Sequence, residues 1–339
     1  MKVTTFGLDL AKRVFQLHWV DMETGEIHRR QLKRVQLMEF FANREPSLIA
    51  MEACGSAHYW ARKVAAMGHE ARLIAPQFVK PFVQGNKTDA ADAKAIWEAA
   101  QRPGMRFVAV KSESQQGVLL LHRMRSQLVK MRTMQVQQLR GLLYEFGADL
   151  PPGRQRGMAR MPAELERLEQ TLPAMVIEAL RGQIARIEAL DLDIAGIEKK
   201  LAVGKKEDKS VRRLMEIPGV GLLTSTAATA TLGDAKAFRN GREFAAFLGL
   251  VPRQSGTGGK VKLLGISKRG DVYLRTLLIH GARAVINCAK DRDPWLEQLL
   301  ARRPKNAAVV ALANKMARTI WALLAHDRTY RKDYAASAA

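Results

Sequence analysis

Two aspartates stand three residues apart in GNKTDAADAKAIWEAA, the stretch from Gly85 to Ala100. The stretch reads as the start of a helix. Positions three apart share a helix face, so Asp89 and Asp92 point the same way, near the positive end of the helix dipole. Capping alone accounts for such a pair, with Thr88 or Asp89 as N-cap and Asp92 as a first-turn acid. Two other acids change the reading. Asp9 interrupts the apolar strand pattern FGLDLAK, where a charge is costly unless it is paired or faces a site. Glu52 follows the apolar run LIAM at a strand end, where open α/β sheets place ligands. Each alone reads as an exposed turn acid. Taken together they form a set of four carboxylates on one strand, a later strand end and a following helix. If they converge they repel one another, and cations between them resolve the conflict. Carboxylate oxygens without His or Cys favour magnesium, or manganese in its place. Two such ions suit an in-line phosphoryl displacement. The spacing by itself does not show convergence.

A second chemical candidate lies in GLVPRQSGTGGKVKLLGISKRGD. Ser255 sits there in a glycine-rich loop, with Arg253, Lys260, Lys262, Lys268 and Arg269 close in sequence. A serine nucleophile needs a base, a metal or a cationic surround. No histidine accompanies it, which disfavours a Ser-His-Asp triad. Attack on a phosphate instead needs cations that hold the phosphate oxygens. Alone, such a residue reads as a plain loop serine, and Ser267 in GISKRG is the alternative. Upstream, EIPGVGLLTSTAATA places Gly219 and Gly221 before a helix. Glycines in that place let backbone N–H groups approach a phosphate, in the manner of a helix-hairpin-helix, or simply make a tight packing turn. Lys12 and Lys87, beside the acids, are phosphate contacts or solvated charges.

Charge narrows the partner. The 339 residues carry 55 Lys and Arg against 33 Asp and Glu, a net +22, which suits a polyanion. The two cysteines, Cys54 and Cys288, exclude a disulfide framework and a Cys-rich zinc site, and fit a reducing, intracellular setting. The N-terminus mixes acid and base into its apolar run, unlike a signal peptide. No uncharged apolar run approaches a membrane span, so no membrane partner is expected.

These residues need elements to hold them. TTFGLDLA, VFQLHWVD, EIHRRQL, PSLIAMEA and EARLIAP read as strands. A helix follows from about residue 56 to 67, and the stretch with Asp89 begins the next. This is an α/β layer with a mixed sheet over residues 1–111. Residues 112–206 show helical spacing broken at Pro151 and Pro152, then near-heptad order. They read as two long helices, paired with each other or with a partner chain, with Met124, Met131 and Met134 in the core or at a dimer contact and VGKKEDKS as a charged linker. Residues 207–330 read as a helical, glycine-punctuated, basic domain, and 331–339 as a tail.

The series GLDLAK, MEACGSAHYW and NKTDAADA resembles the DEDD transposases of the IS110 insertion-sequence family, and FLGLVPRQSGTGGK with ISKRGDVYLRTLL resembles that family's C-terminal transposase domain. The resemblance covers the chain from Asp9 to about Ile286. It implies an RNase H/RuvC-like N-terminal fold in which Asp9, Glu52, Asp89 and Asp92 bind divalent metal, a central coiled coil, and a mostly α C-terminal domain with Ser255 at the nucleophile position. It further implies a composite site, with the acids of one subunit and the serine of another, in a dimer or tetramer. The partners implied are donor and target DNA and a structured bridge RNA that guides the choice of sequence, in the bacterial cytoplasm beside the nucleoid. Two rivals stand beside it: a metal-dependent nuclease or junction resolvase without a covalent serine step, and a non-catalytic nucleic-acid-binding protein.

Overall fold

The computed structural model describes residues 3–86, 88–289 and 293–331, and of residues 205 and 206 the backbone only. Lys87 and the tail from 332 onward lie outside the described residues. The chain forms two compact units: Met1–Gln116 with Leu232–Arg239, and Gly117–Thr231 with Asn240–Ala339.

The first unit is built on six strands: β1 (Thr5–Leu10), β2 (Val14–Val20), β3 (Ile27–Lys33), β4 (Leu48–Glu52), β5 (Glu70–Ile74) and β6 (Phe107–Val108). Their spatial order is β3-β2-β1-β4-β5-β6. β1 pairs antiparallel with β2 and parallel with β4, and β4 pairs parallel with β5, so the sheet is mixed. The helices are α1 (Leu37–Ala42), α2 (Ala57–Ala65), the short α3 (Pro76–Val79) and α4 (Asp89–Gln101). Strand alternation sorts the side chains. Phe6, Leu8, Phe15, Leu17, Ile49 and Met51 pack on one face with α1 and α2, through Phe41, Trp60 and Val64. Ala50 and Ile74 face the other way and pack on Ile96 and Ala99 of α4. The five strands expected from sequence all form. The two-residue β6 and the short α1 carry patterns too brief to read.

The second unit opens with α5 (Glu113–Tyr144, whose first turn lies in the first unit), α6 (Arg154–Glu169) and α7 (Ala174–Glu207). Arg125 pairs with Glu198, Arg132 with Asp191, and Gln183 reaches the Gln135 carbonyl. The partners descend along α7 as they ascend along α5, so the two helices are antiparallel. Leu139, Leu143, Leu165, Leu168, Leu180 and Ile187 form their shared core with α6. The near-heptad segment thus divides into two helices where Pro173 stands as N-cap of α7. Proline lacks the N–H a continuous helix needs there. VGKKEDKS is not a linker. α7 runs to Glu207, and the Asp208 side chain caps α8 (Lys209–Leu214) by accepting from the Ser210 and Val211 N–H groups. Met124, Met131 and Met134 are exposed and take no part in this chain's core.

The unit continues with α9 (Leu222–Leu232, its last residue in the first unit), α10 (Gly241–Phe247), α11 (Val272–Cys288), α12 (Pro294–Arg302) and α13 (Lys305–Ala325). α13 has the length and mean hydropathy of a membrane span. Its Val309, Ala313, Met316, Ile320 and Leu323 are buried. Between α10 and α11 the region is not helical: β7 (Pro252–Thr257) and β8 (Lys260–Ile266) form an antiparallel hairpin. Gly258 and Gly259 both have positive φ, 57° and 79°, as a two-residue hairpin turn requires.

One close contact fixes the turn before α9. A Cβ on Gly281 would lie 2.0 Å from the Gly219 carbonyl oxygen, so α11 meets this turn backbone to backbone. Gly281→Ala is expected to destabilise by about 1–3 kcal/mol or more through overpacking. Gly117→Ala, where nothing lies within 4 Å in a long helix, should be neutral or stabilising. Thermal unfolding of the two variants checks the contrast.

Candidate functional site

Gly7 decides where the acids lie. It sits on β1 two residues before Asp9, so both share the strand face turned toward α4. A Cβ on Gly7 would stand 2.3 Å from the Ala93 carbonyl oxygen and 2.7 Å from the Trp97 amide nitrogen. Only a bare backbone lets α4 settle this close. Asp89, Ala93 and Trp97 are four residues apart and form one stripe of the helix. One helical turn spans about 5.4 Å and two strand residues about 6.6 Å. Stepping back one turn from Ala93 therefore reaches Asp89 as stepping forward two residues from Gly7 reaches Asp9. His18 on the neighbouring strand packs its ring against Trp97, with centroids 5.5 Å apart, and helps seat it. Neither Gly7 nor His18 stood out in the sequence. The signal that could have found Gly7 was a glycine inside a strand pattern, which marks close backbone approach.

Capping and chemistry are separated at the start of α4. Thr88 is the N-cap, and its hydroxyl accepts from the Ala91 N–H at 3.2 Å. Asp89 and Asp92 are thereby released from capping. Asp89 is exposed, while Asp92 and Glu52 are half-buried. Glu52 ends β4, one residue beyond the Leu8–Met51 register pair, and by strand alternation faces with Asp9 and Ala50. The convergence registers on Asp9. Its carboxyl is pushed up to about 6, first by burial, then by the charges of Asp92, Asp89 and Glu52, in that order. Cys54, just past Glu52, has its thiol pushed up by burial and by Glu52 and Asp9. Among the described residues, no group of three or more His, Cys, Asp or Glu side chains closes into a metal cage. The four acids share a field without forming a tight ligand set. Lys12 is exposed on the turn after β1.

Ser255 lies on the exposed strand β7 rather than in a flexible loop. It pairs in register with Lys262 of β8, and Thr257 pairs with Lys260. Directly opposed residues in an antiparallel pair point to the same side. Lys262 thus stands beside Ser255, with Lys260 on the same face. Arg253 falls in a register shift between Pro252 and Gln254. Lys268 and Arg269 lie beyond β8, and Lys268 is left-handed, with φ 54°. Ser267 is half-buried and its N–H bonds the Val251 carbonyl at the base of the hairpin. That base is clamped by Arg275, buried on α11, which donates to the Leu248 and Arg269 carbonyls at 2.8 Å each. Gly249 and Gly270, both at positive φ, admit the two chains to near contact there. Sequence reading missed Arg275, which looks like any charged helix residue. Gly219 makes the packing contact with Gly281, whereas the Cα of Gly221 faces open space.

Comparison with known proteins adds an independent line. A family model described as "Transposase IS116/IS110/IS902 family" matches residues 211–299. The DEDD model of IS110-type transposases matches residues 6–147. A "Probable family 20 transposase" of Pseudomonas aeruginosa is 52% identical over 339 residues, covering 98% of this chain and 99% of the relative. A "Transposase for insertion sequence element IS1111A" of Coxiella burnetii is 43% identical, covering 97% and 92%. A "Transposase for insertion sequence element IS1328" of Yersinia enterocolitica is 38% identical, covering 97% and 99%.

Two outcomes are expected. Because the folded chain holds the Asp9 proton more tightly than the unfolded chain, the contribution of Asp9 to metal-free stability is greatest below about pH 4. It falls as pH rises through about 6 and then levels off. Asp9→Asn should flatten this dependence and raise the melting temperature above the parent's at pH 7.5 in chelator, as scanning calorimetry would show. Gly7→Ala should lift α4 off the sheet at a cost of about 1–3 kcal/mol or more. It should also lower the Asp9 pKa toward its ordinary value, a shift readable by NMR titration.

Proposed function

The chain belongs to the IS116/IS110/IS902 family of transposases, enzymes that cleave and transfer DNA strands, and from that premise we propose that it works through a serine nucleophile and a carboxylate-held divalent cation. The observation that carries the acid half is the raised Asp9 carboxyl, pushed up first by burial and then by repulsion from Asp92, Asp89 and Glu52. Four carboxylates with no competing His or Cys donor suit a hard cation such as magnesium or manganese, and a cation relieves the repulsion that adds to burial in raising Asp9. Asp9, Glu52, Asp89 and Asp92 are the residues that would hold it. When bound, such an ion supplies Lewis-acid stabilisation of charge on phosphoryl oxygens.

In this reading the Ser255 hydroxyl oxygen attacks phosphorus in the DNA backbone. A serine–phosphate bond forms, the bond to the departing strand breaks, and the serine proton ends on the hydroxyl of that strand. Attack by a strand hydroxyl on the serine ester then reverses the exchange and frees the serine. One phosphodiester replaces another, so no outside energy source is required. Lys262 and Lys260, on the serine's face of the hairpin, supply the cations that hold the phosphate oxygens. Arg253, Ser267, Lys268, Arg269, Lys12, Lys87, Gly219 and Gly221 belong to the nucleic-acid surface. The turn through Pro218–Gly221 serves as a helix-hairpin-helix, with Gly219 packed and Gly221 left open.

The rest of the proposal follows the same family pattern. The order of strands around β1, antiparallel to one side and parallel to the other, supports an RNase H/RuvC-like first domain over 1–111. The antiparallel α5–α7 pair supports a coiled-coil segment over 112–206, ahead of a transposase domain over 207–330. Acids and serine come from different subunits of an oligomer, and a structured RNA encoded by the element selects donor and target DNA by base pairing. The setting is the bacterial cytoplasm.

The test is covalent trapping of labelled element-junction DNA with magnesium and the element's flanking RNA. A denaturant-stable protein–DNA band is expected from the parent and from Ser267→Ala, and none from Ser255→Ala or Asp89→Ala. Mixing the two silent variants should restore part of the band. Cleavage that persists in Ser255→Ala without an adduct would overturn the serine step and leave a metal-dependent nuclease.

A further inference from the structure

The segment PPGRQRG, residues 151–157, joins α5 to α6 and breaks a helix rule. First turns favour acids because of the helix dipole. α6 instead begins with Arg154 and Arg156, has no acid in its first turn, and has as N-cap Gly153, which offers no side-chain cap. Cations at that end are unfavourable unless an anion joins them.

A cavity of about 430 Å³ opens beside this turn, lined by Arg132, Thr133, Gln137, Arg140, Gly153 and Arg154 among others. The volume lies in the range of small-ligand sites, about 300–1,000 Å³, but the lining is cationic. Each guanidinium is held. Arg140 donates to the Leu150 carbonyl at 2.8 Å and to that of Pro151. The missing Cβ of Gly157 makes room for it, since a Cβ there would lie 2.9 Å from the Arg140 Nη1. Arg132 and Arg154 grip the two oxygens of Asp191 at 2.5 and 2.6 Å. The Nε of Arg132 is buried with no hydrogen-bond partner. Three guanidinium groups less one carboxylate leave a charge of +2.

We propose that this cavity binds a phosphodiester group of a nucleic-acid strand. The inference rests on the nucleic-acid reading above and adds a contact on the long-helix segment, apart from the serine hairpin. Pre-held guanidinium forks match phosphate geometry, and the uncapped N–H groups of α6 add to them. Pro152, Gly153 and Arg154 are exposed, so a strand can cross the opening. Asp191 holds Arg132 and Arg154 in place and offsets part of their charge.

The experiment uses the full chain with a labelled DNA duplex and a labelled single-stranded RNA of equal length, titrated by fluorescence anisotropy across a salt series. Arg154→Gln should weaken binding of at least one of them several-fold and reduce the salt slope by about one contact. Asp191→Asn should tighten it, which a purely structural ion pair would not do. If both variants fold as the parent by circular dichroism and keep its affinity and slope for both nucleic acids, the proposal is overturned. It is overturned equally if inorganic phosphate raises the melting temperature of the parent but not of Arg154→Gln while nucleic-acid affinity stays constant. The cavity would then take a free anion. Adduct formation at Ser255 is read separately, so a parent that traps no DNA but loses affinity on Arg154→Gln refutes the serine step and keeps this site.

Discussion

The first unit depends on the approach of α4 to β1 at Gly7. Two backbones come within the space of one methyl group, and everything at the sheet's acidic edge follows from that distance. Small residues Ala93, Ala95 and Ala99 keep the buried face of α4 thin. The start of the helix can therefore stand over the end of the strand. A larger residue at position 7 would hold the Asp89–Asp92 turn away from Asp9, and four acids would remain four separate surface charges. The price of the approach is electrostatic, since Asp9 is partly buried among like charges. A chain carrying +22 overall tolerates this local excess of negative charge, and the strain is of the kind a divalent cation removes.

The serine hairpin is positioned by the opposite device. β7 and β8 are exposed along their length and contribute no core. What fixes them is their base, where buried Arg275 joins two carbonyls and glycines allow the strands to enter side by side. The arm keeps Ser255 exposed to solvent above that base. The pairing register then sets the chemistry of the arm by putting Lys262 beside Ser255. The same economy recurs between α5 and α6, where backbone carbonyls and one aspartate hold three arginines around a cavity. In both places glycines make the room, for a second backbone at the hairpin and for the Arg140 guanidinium at α6.

Much of this was legible in the chain. Short apolar runs marked β1, β2, β4 and β5, because core-facing residues cluster within a strand, while β3 is mostly exposed. Asp9 and Glu52 stood out because charge at the end of an apolar strand has to be explained. Helical spacing marked α5 and α7. The hairpin escaped notice because β7 is short, polar and exposed, and the apolar Val261 and Leu263 of β8 lie exposed among lysines instead of facing a core. The division of α6 from α7 was hidden by continuous helical periodicity across Pro173. The assumed linker was charged but helical, broken only where Asp208 caps the next helix.

By itself the sequence determined the types of residue available: four hard acids, a serine among cations, a basic surface and the strands and helices that carry them. Local patterning settles such matters because burial and backbone hydrogen bonding act on neighbours in the chain. The tertiary structure alone decided which residues meet. The field of Asp92, Asp89 and Glu52 at Asp9, the pairing of Ser255 with Lys262, and the grip of Arg275 and Asp191 all join residues distant in sequence or set by register. Those contacts depend on how closely two backbones can pack, and that is fixed only when the elements are brought together.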